Sequence, residues 1–140
     1  MIGIVVCAHG RLGEEFVHAA EMILGKQSQI EVVGILPDHE GQEVVDGLSA
    51  AVQKADTGAG VIIFTDMFGG TPTNISCTFL EKHVEVVTGI NLPALVRAIN
   101  MREGAEPLAK VAAESAEYGQ RHISVAGQLL RKTKEKAENP

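Results

Sequence analysis

Short runs of β-branched and other apolar residues constrain the fold of this chain more than any other feature. Three of them cover residues 2–8, 30–36 and 60–65, and a fourth covers residues 84–90. Short continuous apolar runs are typical of strands buried on both faces of a parallel sheet. The sequence therefore predicts four central strands.

Helix-forming segments separate these strands. Apolar spacings of three and four residues predict helices over residues 12–24, 42–55, 72–82, 92–101 and 107–120. Strand followed by helix, repeated four times, predicts right-handed crossovers and an α/β fold with helices on both faces of a mostly parallel sheet. We expect the strand order 2-1-3-4. Residues 122–126 are a candidate fifth strand whose direction the sequence leaves open.

Length and composition predict one compact domain. A chain of 140 residues, 45% apolar and 21% charged, has enough hydrophobic material for a full core. We assign residues 1–130 to this domain and predict that the polar, basic tail 131–140 is disordered. The longest apolar run, residues 4–8, is far shorter than the roughly 20 residues of a membrane span. With no basic segment or cleavage site at the N-terminus, we expect a cytoplasmic protein.

Charge and cysteine content exclude two classes of function. The net charge is −6, and the last ten residues hold four basic and two acidic side chains, so the rest of the chain is more acidic still. Nucleic-acid binding is disfavoured because it requires a clustered basic face. Cys7 and Cys77 lie in apolar surroundings without a second ligand at metal-binding spacing, which predicts two buried free thiols.

The candidate site lies where the first and third strands end. Ligands of open α/β sheets bind at the carboxyl ends of the strands, where the strand order reverses. In the order 2-1-3-4, this rule brings His9, after the first strand, next to Asp66, after the third. A carboxylate that accepts one imidazole N–H fixes the tautomer and leaves the other nitrogen as a nucleophile or base.

An anion-binding segment follows Asp66. Gly69 and Gly70 precede Thr71-Pro72 at a predicted helix start, and the hydroxyl of Thr73 follows. Backbone N–H groups and hydroxyls at the positive end of a helix can hold a phosphate. A nucleophilic imidazole beside such a segment indicates phosphoryl transfer through phosphohistidine.

Other interpretations of the same residues remain open. His9 can be a hydrogen-bonded structural residue, and Asp66 can cap a turn. A phosphatase loop after Cys7 is excluded, because its arginine position holds Gly13. No dinucleotide or nucleoside-triphosphate motif is present. His39 follows Asp38 at the end of the second strand, so a weak metal site with His9 is conceivable.

Three segments resemble one protein family. The strings IGIVVCAHGRLGEEF, GVIIFTDMFGGTPTN and VEVVTGINLPALVRA occur in that order within residues 1–127. They are similar to the enzyme IIA component of the mannose family of the bacterial phosphoenolpyruvate-dependent sugar phosphotransferase system. The related phosphotransferase subunit of dihydroxyacetone kinase lacks the Gly-Gly-Thr/Ser-Pro-x-Asn string.

The resemblance implies a phosphoryl carrier. His9 would accept a phosphoryl group from the histidine-containing phosphocarrier protein and pass it to a histidine of the IIB component. Asp66 would orient the imidazole, while Gly69, Gly70 and Thr71 would bind the phosphoryl oxygens. The residues expected to wall the site or contact a partner are Gly10, Arg11, Phe68, Pro72, Asn74 and Asn91.

The resemblance also implies an assembly. Family members are homodimers that exchange an antiparallel last strand, a role that residues 122–126 would fill. No cofactor or metal is expected, and contact with the membrane would be indirect, through IIC and IID components. We expect a stand-alone IIA protein, since the chain ends after a short basic tail. The alternatives are a regulatory protein whose phosphorylation state changes its affinity for another protein, and a flavodoxin-like protein that binds a small molecule.

Overall fold

Four parallel strands form the centre of the molecule in a computed structural model that describes residues 1–67, 69–80 and 83–138. They are β1 (Gly3–His9), β2 (Ile30–Ile35), β3 (Val61–Thr65) and β4 (Val84–Thr88). Their order is β2-β1-β3-β4, and every pairing is parallel. The predicted strand order and fold class are therefore confirmed, with strand ends within two residues of the predicted ones.

Helices cover both faces of this sheet. The described residues form α1 (Leu12–Leu24), α2 (Gly41–Ala55), α3 (Thr71–Cys77), α4 (Leu92–Met101), α5 (Leu108–Arg121) and α6 (Ala126–Glu138). Helices α2 and α3 pack on one face, and α1, α4 and α5 lie on the other. Right-handed crossovers explain this division for α1, α2 and α3, because the connection from β1 to β2 runs along the sheet in the opposite direction from those that lead to β3 and β4.

The core is split by the alternation of side chains along β1. Ile4 and Val6 join the cluster under α1, α4 and α5, whereas Val5 and Cys7 join the cluster under α2 and α3. Successive side chains of a strand point to opposite faces, so a strand buried on both sides is apolar throughout. This is why the first apolar run of the sequence is continuous.

Two backbone segments meet closely at the carboxyl ends of β1 and β2. The Gly10 N–H donates to the Ile35 carbonyl at 2.9 Å, which extends the pairing of His9 with Ile35 by one residue. A Cβ atom on Gly34 would lie 2.5 Å from the Gly10 carbonyl oxygen. Only glycine allows this approach, which places the loop after β2 against the loop after β1.

The C-terminal region differs from the sequence-based prediction. Residues 122–125 form no strand, and α6 occupies residues that were predicted to be a disordered tail. A strand needs a hydrogen-bonding neighbour, and residues 122–125 pair with none of the four described strands. Helix α6 consists mainly of good helix formers and buries no residue, so its conformation reflects local propensity rather than packing.

Within residues 1–67, 69–80 and 83–138, no helix has both the length and the apolar character that a membrane span requires.

We predict that Gly34→Ala destabilises the fold. The new Cβ would displace the Gly10 carbonyl, and overpacking of this kind costs about 1–3 kcal/mol. Urea unfolding measures the free energy. Gly47→Ala is the matched control, because Gly47 lies in α2 with open space at its Cβ position, and the substitution should stabilise the helix by about 0.5–1 kcal/mol. Equal unfolding free energies for the two variants would contradict the close approach.

Candidate functional site

His9 is the residue at which β1 leaves the core. The six preceding residues of the strand are buried, whereas the His9 side chain is 52% exposed. Burial raises the pKa of the Cys7 thiol to about 11, so the side chain beneath the site stays protonated and unreactive. The only strong nucleophile that β1 presents to solvent is therefore the imidazole.

Asp66 holds His9 through a single carboxylate oxygen. Asp66 Oδ2 accepts the His9 backbone N–H at 3.0 Å and lies 2.8 Å from His9 Nδ1. Its other oxygen, Oδ1, accepts the Met67 N–H at 3.1 Å. A carboxylate only accepts hydrogen bonds at neutral pH, so Nδ1 carries the proton of the neutral ring. The second ring nitrogen, Nε2, consequently keeps its lone pair.

The same contacts determine the ionisation of Asp66. Partial burial raises its pKa, but hydrogen bonds from the backbone and ring of His9 and the charge of that ring lower it. The net result is a pKa below the usual 3.8. Asp66 is therefore an anion in the folded protein at neutral pH.

Glycines keep the space around the imidazole free. Gly10 and Gly69 adopt positive φ angles of 58° and 83°, in the left-handed region that glycine tolerates best. A Cβ atom on Gly70 would lie 3.3 Å from His9 Cε1. The segment after β3 therefore closes on one edge of the ring, between the two nitrogens, without a side chain.

The two threonines at the start of α3 have different environments. Thr71 is exposed, and it lines the same depression as His9. Thr73 is 2% exposed, and its hydroxyl contacts the hydroxyls of Thr65 at 2.6 Å and Thr88 at 3.2 Å and donates to the Met67 carbonyl. The prediction that the Thr73 hydroxyl faces an anion is wrong, because the hydroxyl is turned into the ends of β3 and β4.

A depression of about 430 Å³ surrounds His9 on the side of β2. Thr71 and Gly10 line it together with Ile35, Leu36 and Pro37, which sequence reasoning missed as site residues, and His39, which it placed near His9 only as a metal ligand. The available signal was topological. Strand β2 neighbours β1 in the predicted order, so the loop after β2 had to lie beside the loop after β1.

Several predicted site residues do not line the depression around His9. Arg11 is 79% exposed, and its Nε donates to Glu14 at 3.3 Å. Asn91 caps α4 by accepting the Ala94 N–H, and it donates to the Gly119 carbonyl. Pro72 is buried and Asn74 is exposed, both on α3, while Phe68 lies outside the described residues.

Metal ligation was the remaining alternative for His39. Among residues 1–67, 69–80 and 83–138, no group of three or more His, Cys, Asp or Glu side chains is placed to hold a metal ion. The His39 ring instead accepts a hydrogen bond from the Leu36 N–H at 3.2 Å. The prediction of two buried thiols is half correct, since Cys7 is buried and Cys77 is exposed.

Sequence comparison identifies relatives along most of the chain. The profile of the family described as "EIIA-man: PTS system fructose IIA component" matches residues 3–116. The mannose-specific EIIAB component of Escherichia coli K12 is 30% identical over 87% of this chain, which spans only 38% of that relative's length. The sorbose-specific EIIA component of Lacticaseibacillus casei is 32% identical over 69% of this chain and 72% of its own.

Solved structures share the fold. The EIIA component from Streptococcus agalactiae superposes with a TM-score of 0.83 at 23% identity, over 91% of this chain and 99% of the other. A PTS IIA protein associated with the fucose utilization operon of Streptococcus pneumoniae gives a TM-score of 0.79 at 27% identity, over 91% and 95% of the two chains.

We predict that Asp66→Asn lowers the free energy of unfolding at neutral pH, and that this loss becomes smaller in acid. Because the pKa of Asp66 is lower in the folded state, the unfolded chain takes up this proton first as the pH falls. The stabilisation is fully present above pH 3.8 and is lost as the pH falls through the lower folded-state pKa. The difference in unfolding free energy between the wild type and Asp66→Asn should therefore shrink below pH 3.8.

Urea unfolding at a series of pH values measures this difference. Asp46→Asn is the control for removal of a surface carboxylate, because Asp46 is exposed on α2 and accepts a hydrogen bond from the Gln42 side chain. A wild-type advantage over Asp66→Asn that stays constant through the acid range would show that His9 does not stabilise the Asp66 anion.

Proposed function

The chain belongs to the family of mannose-type IIA components of the sugar phosphotransferase system, and from that premise we propose that His9 carries the phosphoryl group. It accepts this group from the histidine-containing phosphocarrier protein and passes it to a histidine of a IIB component. The observation that carries the proposal is the 2.8 Å contact of His9 Nδ1 with Asp66, which leaves Nε2 free on a half-exposed ring.

The proposed transfer is an in-line displacement between two imidazoles. The Nε2 lone pair of His9 attacks phosphorus as the P–N bond to the donor imidazole breaks, and the bonding electrons return to the donor nitrogen. His9 keeps its Nδ1 proton throughout, because that N–H donates a hydrogen bond to the Asp66 carboxylate. The positive charge that develops on the ring is then stabilised by the Asp66 carboxylate. In the transfer to IIB the roles change: the IIB imidazole attacks phosphorus, the P–N bond to His9 breaks, and the bonding electrons return to His9 Nε2.

The phosphoryl group adds about two negative charges beside Asp66. Thr71, the first residue of α3, lines the depression, and Gly69 and Gly70 carry no side chains that would block phosphoryl oxygens. Repulsion between Asp66 and the phosphoryl group opposes the stabilisation of the ring. The balance of these two effects keeps the transfer reversible, as a carrier requires.

The surface around His9 suits transient docking of a protein. Leu36, which lines the depression, is 44% exposed, and Met67, which follows Asp66, is 59% exposed. Exposed apolar side chains beside a polar centre are typical of protein interaction sites. Donor and acceptor must each bring an imidazole to the same Nε2, so they use this face in turn. The IIC and IID components then link the protein to the membrane indirectly.

We also propose that two copies exchange residues 122–126 as an antiparallel strand. Among the described strands β4 pairs with β3 alone, which leaves one edge of the sheet open. A groove of about 370 Å³ lies between this edge and α5, lined by Glu85, Val86, Val87 and Thr88 on the strand. Ile123 and Val125 are exposed in the single chain, so their apolar side chains gain burial when a partner's edge accepts them.

We predict that His9→Ala abolishes phosphorylation. After incubation with phosphoenolpyruvate, enzyme I and the phosphocarrier protein, the wild type should gain one acid-labile phosphoryl group by intact-mass spectrometry, and the variant none. His83→Ala is the matched control, because His83 is exposed at the amino end of β4, the opposite end of the parallel strands from His9, and the variant should behave like the wild type.

Two results would change the proposal. A wild type that stays unmodified beside an active phosphocarrier protein would contradict it. A wild type that is phosphorylated but gives nothing to a IIB histidine would favour the regulatory alternative over sugar uptake.

We predict that Ser124→Pro weakens self-association. Proline removes the N–H that a central residue of an exchanged strand donates, so the mass measured by light scattering should fall from that of a dimer toward that of a monomer. Ser124→Ala keeps the N–H and should remain dimeric. A wild type that is monomeric throughout would exclude the exchange.

A further inference from the structure

A second imidazole stands in the depression of His9. His39 lies in the loop after β2 and lines the depression together with His9, Gly10 and Thr71. The position follows from the strand pairing, since His9 pairs with Ile35 and the Gly10 N–H donates to the Ile35 carbonyl. Residues 36–39, which end at His39, therefore begin beside the carboxyl end of β1, where His9 lies.

The His39 ring is held in one tautomer. The Leu36 N–H donates to His39 Nδ1 at 3.2 Å, and the backbone N–H of His39 donates back to the Leu36 carbonyl at 3.1 Å. A backbone N–H only donates, so Nδ1 must present its lone pair. The proton of the neutral ring is then on Nε2, the nitrogen on the far side of the ring from Leu36.

The sides of the His9 ring are assigned in the same way. Asp66 occupies Nδ1, and Gly70 approaches Cε1. A phosphoryl group on Nε2 thus has the Asp66 anion behind it and the depression in front of it. Negative charge in this position needs donors on the side away from Asp66, and the depression offers the Thr71 hydroxyl and the His39 ring.

We propose that His39 Nε2–H donates a hydrogen bond to the phosphoryl group on His9 and so stabilises the phosphorylated protein. This rests on the proposed function of His9. His39 takes no proton and forms no covalent bond in this role. It acts as a hydrogen-bond donor whose ring is held before the phosphoryl group arrives by the Leu36 N–H at Nδ1, while its backbone is held by the Leu36 carbonyl.

The test begins with chemical phosphorylation, which needs no protein partner. Phosphoramidate transfers its phosphoryl group to His9 Nε2 as its P–N bond breaks and ammonia leaves. We then follow loss of the phosphoryl group to water by intact-mass spectrometry. His39→Ala should lose it about tenfold faster than the wild type, the factor expected when one hydrogen bond to a charged group is removed.

Two variants separate donation from a structural effect. His39→Gln places an amide N–H at similar reach and should restore much of the lifetime, although it cannot repeat the imidazole contact with Leu36. His83→Ala, at the amino end of β4 and so at the opposite end of the strands from His9, should match the wild type. A change in phosphoryl lifetime without rescue by glutamine would mean that His39 only supports its loop, and would overturn the proposal.

A measurement on the wild type tests the tautomer directly. In ¹H–¹⁵N spectra of histidine rings, the unphosphorylated protein should show His39 protonated on Nε2, and that proton signal should shift when His9 is phosphorylated. A ring protonated on Nδ1, or a His39 signal indifferent to phosphorylation, would overturn the proposal. If the wild type takes no phosphoryl group, both proposals fall; if the wild type and His39→Ala hold it equally long, this one alone falls.

Discussion

The double pairing of β1 is the constraint on which the rest of the structure depends. This strand hydrogen-bonds to β2 on one side and β3 on the other, and it is covered by helices on both faces. Its residues can then be only apolar until the strand emerges at His9. A polar nucleophile on β1 has one position available to it, the carboxyl end, and the loops of β2 and β3 meet there from opposite sides.

The two loops that flank His9 supply different chemistry. One follows β2 and the other follows β3, on opposite sides of β1. The loop after β3 brings a charge, Asp66, and a glycine that approaches the ring. The loop after β2 brings apolar walls and the ring of His39. The imidazole of His9 therefore lies between the Asp66 carboxylate and a depression whose described lining residues include no carboxylate.

Much of this arrangement is predictable from the sequence, for a physical reason. Strand order follows from apolar runs and crossover rules, and strand order alone places His9 beside Asp66. Side-chain direction within a short helix is not encoded in the same way. Thr71 and Thr73 looked equivalent in the sequence, yet one faces solvent and the other is turned into the sheet. Residues 122–125 pair with none of the four described strands, so the local pattern alone could not determine their conformation.

The shared acceptor oxygen of Asp66 has a consequence for the order of events at the site. One oxygen binds both the backbone and the ring of His9, so the χ angles of the imidazole are restricted as soon as the chain folds. The rotational entropy of that side chain is lost during folding and not during each encounter. Any protein that docks at this surface meets the ring in one orientation, whichever direction a group is moving, and two unrelated partners can therefore use the same geometry.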